Sequence, residues 1–270
     1  MTKASGGRGK RKRQKTKTTT GETFSLRAKN EDILEGLVLH RDAVSVHEEA
    51  ELLTFINDAL ARGRTGALRK PTYLKAEGAR SRGNRREMLQ FGGFFDFNRA
   101  RPGRRGLVPP FPAILERLVA NLVKRGYIDQ ELGPDSCIIN SYVKGDCIPP
   151  HTDHAAYTRP ILTLSLLGEE PMLVGSSFRN VRACCWEPTI GRAVLLPRRS
   201  LLLLGGKSGS VAKHCVSACG GPRVSITLRR QPPEDWRPDV TALVSGDAGG
   251  KRKPLSGSAK RRKKRAKMHK

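Results

Sequence analysis

His151, Asp153 and His154 fall within four residues of one another in CIPPHTDHAAYTRPILTLSLL, a stretch that begins at Cys147. His151-Thr152-Asp153 sets an imidazole and a carboxylate two residues apart. Side chains at that spacing leave an extended strand on the same side, so the two can hold one cation together. A third ligand must come from elsewhere. His214, in SVAKHCV, is the candidate among the six histidines, because His40 and His47 lie near the first expected helix and His269 lies in the C-terminal tail. Two histidines and a carboxylate on one face of an ion leave three octahedral positions open, the arrangement of non-haem Fe(II) oxygenases. Zinc hydrolases also use two histidines and a carboxylate, so the HxD pair alone leaves both chemistries open.

The stretch PRVSITLRR narrows the choice. Arg223 and Arg229 are six residues apart, so a strand points both to one side. If that side is an interior, two guanidinium groups need anions, and the strand itself holds no acid. A dicarboxylate co-substrate gripped by an arginine fork meets that need. Asn140 and Tyr142, two apart in INSYV, offer an amide and a phenol to the same ligand. A solvent-facing basic strand is the plainer alternative for the arginines.

These residues need elements to place them. GLVLHRDAVSVHEEAELLTFINDALARGR reads as a short strand and a helix. Ser45 and Glu48 form a capping box, and Leu52, Ile56, Ala59 and Leu60 recur on one face. FPAILERLVANLVKRG predicts a second helix. Pro112 sits in its first turn, Ile114, Leu115, Leu118, Val119, Leu122 and Val123 form its apolar stripe, and Gly126 ends it. MLQFGGFFDF predicts a strand pair, preceded by a basic, Gly-rich loop from Arg69 to Arg86 that suits a nucleic-acid surface. From Ser136 onward SCIINSYV, RPILTLSLL, PMLVGSSF, GRAVLLP, SLLLLGG and PRVSITLRR are short β-prone runs split by Gly, Pro and charge. The expected architecture is α+β: a double-stranded β-helix, or jelly roll, with buttressing N-terminal helices.

The net charge of +26 is uneven. Residues 1–20 carry eight Lys/Arg and residues 251–270 carry eleven, with no acid in either stretch. Such segments lack apolar residues to bury. Residues 1–30 and 234–270 are therefore expected to be disordered basic tails around a domain at 31–233. The tails are either solvated charge runs or serve nuclear import and phosphate contact. No apolar run reaches membrane-spanning length, and no secretory signal is visible. The six cysteines form no CxxC pair and are expected to be free thiols.

PDSCIINSYVKGDCIPPHTDH, RPILTLSLL, VAKHCV and RVSITLRR together resemble the AlkB-type Fe(II)/2-oxoglutarate dioxygenases, over roughly Gly36 to Gln231. The likeness is greatest to the RNA N(6)-methyladenine demethylases of plants and their animal counterparts. It implies that His151, Asp153 and His214 hold iron. Asn140, Tyr142 and Arg223 would hold 2-oxoglutarate, with Arg223 on its distal carboxylate and Arg229 near its keto-acid end and the iron ligand. Arg86 matches a basic position near the substrate, and Phe95 and Phe97 stand where tyrosines are usual. LLGGKSGSVAKH is not the usual loop before the last ligand. His154 is either a rim histidine or a contact to the base.

The implied activity is oxidative demethylation of single-stranded RNA by a monomer in the nucleus, with a cytoplasmic pool as the further location. Three alternatives stand beside it. They are a repair demethylase of 1-methyladenine or 3-methylcytosine, a protein hydroxylase, and a non-catalytic basic RNA-binding protein.

Overall fold

The computed structural model describes residues 21–23, 32–75 and 85–233. The expected tails beyond these, and residues 76–84 of the basic loop, lie outside the described residues. In chain order the strands are β1 (Glu22–Thr23), β2 (Leu37–His40), β3 (Tyr73–Lys75), β4 (Glu87–Phe91), β5 (Phe95–Asp96), β6 (Arg101–Pro102) and β7 (Ser136–Tyr142). They continue with β8 (Ile148–His151), β9 (Thr158–Leu166), β10 (Glu170–Arg182), β11 (Cys185–Leu196), β12 (Leu201–Leu204), β13 (Lys213–Val216) and β14 (Arg223–Arg230). The helices are α1 (Val46–Arg64), α2 (Ala113–Lys124) and the short α3 (Gly206–Ser210). Among the described residues, no helix is long and apolar enough to cross a membrane.

Both long helices follow from local chemistry. Ser45 Oγ accepts from the Glu48 N–H at 3.1 Å, and Glu48 Oε2 accepts from the Ser45 N–H at 2.7 Å, so two orphan donors at the start of α1 are satisfied. Leu52, Ile56, Ala59 and Leu60 are buried as their spacing requires. Pro112 is the N-cap of α2, one place ahead of the expected first turn. Gly126, at φ +75°, takes the left-handed conformation that ends it. Leu115, Leu118 and Leu122 form the fully buried stripe of α2, while Ile114, Val119 and Val123 are half-buried at its flanks.

An eight-stranded antiparallel sheet runs β1-β2-β12-β9-β14-β7-β4-β3, and a four-stranded sheet runs β11-β10-β13-β8. The alternation in β14 shows how the layers divide. Val224, Ile226 and Leu228 join the core shared with α1 and α2, while Arg223, Ser225, Thr227 and Arg229 face the interior between the sheets. The strand β9 repeats the pattern, with Leu162, Leu164 and Leu166 toward the helices and Thr163 facing inward. A second core fills one end of that interior with Leu37, Leu39, Ile161, Met172, Val174 and Leu202. Each fully buried leucine in these layers contributes about 2 kcal/mol of transfer free energy. This is the expected α+β jelly roll with helices against the outer face of the large sheet.

Three local expectations are corrected. MLQFGGFFDF is not a strand pair: β4 joins β3 and β7, whereas β5 pairs with β6. Gly92 at φ +73° turns the chain out of the large sheet, so the two halves of the motif part. Residues 22–23, inside the stretch read as a tail, pair with Val38 and Leu39, because the edge of β2 offers main-chain groups that need no apolar side chains. PMLVGSSF and GRAVLLP extend into one long hairpin, β10–β11. Its far half is exposed and held by main-chain pairing, which a sequence lacking alternation does not reveal.

Candidate active site

Strand register assembles the site. β13 pairs with β8 so that His214 lies opposite His151. β14 pairs with β7 so that Arg223 lies opposite Tyr142 and Ser225 opposite Asn140, and β9 brings Ser165 to the other side of Ser225. The edge strand β8 contains Pro149 and Pro150, tolerated where a ladder has an open side. It delivers His151 at its last residue, and Asp153 follows in the loop.

The ligand atoms of His151, Asp153 and His214 all lie within 4.8 Å of one another. His214 Nε2 is 3.6 Å from Asp153 Oδ2, and the two imidazole rings are 4.3 Å apart. His151 Nδ1 is 2.9 Å from the Pro149 carbonyl. A carbonyl accepts, so Nδ1 carries the proton and Nε2 keeps its lone pair for a metal. Burial, reinforced by the charge of His151, pushes His214 down to about 3, and burial likewise lowers His151. Both are neutral near pH 7 and able to ligate. Burial works against an ionised Asp153, but Arg229, His214, His151 and Arg159 outweigh it and hold the carboxyl far below its ordinary value. The donor set fits one borderline divalent ion such as Fe(II).

Arg229 donates to Asp153 Oδ1 through Nη2. Strand alternation offers both arginines to an external anion, and the family resemblance places Arg229 near the iron ligand; the antiparallel register carries it to Asp153, while its buried Nε has no hydrogen-bond partner among the described residues and stays available to an anion. Arg223 is different. It is 1% exposed, donates to Ser165 Oγ at 2.9 Å and lies 5.2 Å over the Tyr142 ring. Arg223 Nε and the Tyr142 hydroxyl are buried with no hydrogen-bond partner among the described residues. A buried cation beside two unsatisfied donors is costly unless an anion binds there. The cavity opens to solvent, with about 550 Å³ of space inside and at its mouth. Arg86, Arg223 and Arg229 line it against one carboxylate, that of Asp153. A dianion such as 2-oxoglutarate fits this imbalance.

The structure brings seven sequence-predicted residues to this cavity: His151, Asp153, His214, Asn140, Tyr142, Arg223 and Arg229. Arg86 joins them, but buried in the wall and bonded to Asn140 rather than at a rim. Phe95 and His154 are not on the cavity wall. Phe95 turns into the second core, 6.4 Å from Tyr157 and 5.0 Å from Phe97. His154 accepts from the Ala156 N–H through Nδ1 at 3.2 Å, its ring drawn back along its own loop.

Three residues carried no site assignment in the sequence, although Phe97 stood out as replacing a usual tyrosine. Phe97, 41% exposed, lines the cavity where Phe95 was expected. Arg159 ties the ligand loop together by donating to the carbonyls of Asp153, His154, Tyr157 and Gly209. Ser165 holds Arg223. Thr163 and Ser165, alternate polar positions within ILTLSLL, were the available signal for an inward polar face. The six cysteines are free and five are buried. Burial pushes the Cys137, Cys147, Cys215 and Cys219 thiols up to about 12, so they are inert.

Comparison with known proteins agrees with this geometry. Residues 96–229 match the family described as the 2OG-Fe(II) oxygenase superfamily. The chain is 34% identical over 211 residues to the RNA demethylase ALKBH9B of Arabidopsis thaliana, covering 76% of this chain and 41% of that protein. It is 26% identical over 211 residues to RNA demethylase ALKBH10B of the same plant, covering 76% and 36%. The chain thus spans about two fifths of the length of these relatives. The solved structure of OsALKBH1 superposes with a TM-score of 0.50 at 17% identity, covering 73% of this chain and 97% of that one, a likeness of fold. The family match contains both strands that carry the histidine ligands, and residues 96–229 of the chain form a 2OG-Fe(II) oxygenase domain.

Proposed function

We propose that this chain removes methyl groups oxidatively from nucleic-acid bases, with N(6)-methyladenine in single-stranded RNA as its substrate. The observation that carries the reading is an exposed aromatic ring on the wall of the oxygenase cavity, followed at once by exposed arginines. Phe97 lines the cavity, and Arg99, Arg101, Arg104 and Arg105 follow on the surface. Ring and cation together suit a splayed base and its backbone. The names of the relatives, both RNA demethylases, point the same way.

Fe(II) held by His151, Asp153 and His214 would supply, with O2 and 2-oxoglutarate, hydroxylation of the methyl carbon, giving succinate and CO2. The N-hydroxymethyl group then leaves as formaldehyde and the amine regains its N–H. The chain's own groups do the rest. Arg223, with Tyr142 and Asn140, anchors the co-substrate's carboxylate. Arg229 keeps Asp153 ionised and oriented, and Arg159 fixes the loop between Asp153 and Tyr157. The base enters unstacked, which favours single strands over duplex.

A domain at 31–233 carries this activity as a monomer, and the basic tails add phosphate contacts and direct the protein to the nucleus. Deleting residues 1–20 and 251–270 lowers the log–log salt slope of oligonucleotide binding by about 0.7 per lost contact. The deciding experiment offers matched single-stranded and duplex RNA with N(6)-methyladenine, 1-methyladenine or 3-methylcytosine, read by mass spectrometry. Fastest loss from single-stranded N(6)-methyladenine supports the reading. Fastest loss from either of the other two bases moves the protein to lesion repair, and no loss from any base contradicts base demethylation.

A further inference from the structure

We propose that Arg86 is a positioning residue for the co-substrate. By holding the amide oxygen of Asn140, it turns the amide nitrogen into the cavity as a donor to a 2-oxoglutarate carboxylate. The inference rests on the oxygenase reading of the site.

Arg86 stands immediately before β4 and is 6% exposed. Its Nε donates to Asn140 Oδ1 at 2.8 Å, and its Nη1 donates to the Cys147 carbonyl at 3.2 Å. A guanidinium only donates, so the atom of Asn140 that faces it must be the oxygen. The amide nitrogen then lies on the other side, 3.4 Å from Ser225 Oγ. That contact is at the long end of hydrogen bonding and leaves the second amide hydrogen uncommitted. Asn140, Ser225, Tyr142 and Arg223 line the same cavity. Without Arg86 the amide is free to flip and present its oxygen to an incoming carboxylate, which is repulsive.

A second effect runs through the main chain. The bond to the Cys147 carbonyl ties the start of β4 to the approach to β8, four residues ahead of His151. One side chain thereby links the anion pocket to the strand that carries a metal ligand. This buried placement separates Arg86 from the rim, where contacts to a nucleic-acid backbone would be made.

The test uses the full chain with Mn(II) in place of iron. 2-Oxoglutarate binding is measured by calorimetry, and binding of a labelled single-stranded oligonucleotide by anisotropy. Arg86→Gln should weaken 2-oxoglutarate about tenfold, the scale of one well-placed hydrogen bond to a charged group, with oligonucleotide affinity within twofold of wild type. Asn140→Ala should lose a similar factor, and the double variant should lose no more than Asn140→Ala alone, because both remove one interaction. Arg86→Lys, which keeps one donor and the charge should Arg86→Gln fail to fold, should restore part of the affinity. Multiplied losses in the double variant, or weaker oligonucleotide binding with co-substrate binding unchanged, overturn the inference. A wild-type chain that binds no 2-oxoglutarate overturns the oxygenase reading itself.

Discussion

Replacing Arg223 by Lys isolates the fork geometry from the charge. In the metal-free chain the lysine amine can still reach toward Ser165, so the fold should hold. What is lost is the planar pair of donors, one of which, Nε, has no partner among the described residues, and the stacking over Tyr142. On the scale of charge-assisted hydrogen bonds this is about 2 kcal/mol of co-substrate binding, or about thirtyfold. Thermal unfolding reads it directly. At 2-oxoglutarate one hundred times the wild-type dissociation constant, ligand linkage stabilises wild type by about 2.7 kcal/mol. For a domain of this size that is a rise of about 5–11 °C. The same concentration is only about three times the variant's constant, which leaves about 0.9 kcal/mol and a rise of about 2–4 °C. Equal rises in the two proteins would refute the assignment of Arg223 to the co-substrate.

Other perturbations reach the metal and the frame. His151→Ala, Asp153→Ala and His214→Ala should each abolish the single tight Mn(II) site, seen by electron paramagnetic resonance and metal analysis; full occupancy in any of them would remove that residue from the ligand set. Asp153→Asn leaves the Arg229 guanidinium buried without its counter-charge and should destabilise the metal-free chain by about 3–5 kcal/mol in urea unfolding. A loss below about 1 kcal/mol would mean the pair is not coupled. Burial raises Glu48, but hydrogen bonds from the Ser45 N–H, Arg125 and Asn121 prevail and hold its carboxyl at about 2, against 4.5 in the unfolded chain. A depressed folded value means stability that is present above pH 4.5 and lost as pH falls toward 2. Glu48→Gln should therefore flatten the acid limb of stability between those values, and an unchanged limb would place the acid sensitivity elsewhere.

Strand periodicity made much of the site legible. In RVSITLRR the alternation of polar and apolar residues puts Arg223 and Arg229 on one face, and the HxD spacing puts His151 and Asp153 within reach of one ion. The sequence does not state which strands become neighbours. Periodicity alone could not pair Arg229 with Asp153, because β14 and the loop after β8 are joined only by the folded topology; only the family resemblance placed Arg229 near the iron ligand. The same limit hid Ser165, the support of Arg223. At the cavity mouth, Phe95 and Phe97 have the same type and parity, so periodicity could not choose between them; the turn at Gly92 and the separate β5–β6 pairing decide it. Arg86 looked like a surface cation in a basic loop, and its burial follows from acceptors supplied by β7 and by Cys147.

Base demethylation by this site is tested by the coupling of co-substrate oxidation to methyl loss on a single-stranded oligoribonucleotide containing one N(6)-methyladenine. Succinate, formaldehyde and unmodified adenine are quantified in the same reaction with Fe(II), O2 and 2-oxoglutarate. Base demethylation at this site gives the three in one-to-one-to-one ratio, with all three absent in His214→Ala. Succinate formed at the same rate on the unmethylated oligonucleotide, with no formaldehyde and no change in the methylated base, would contradict it.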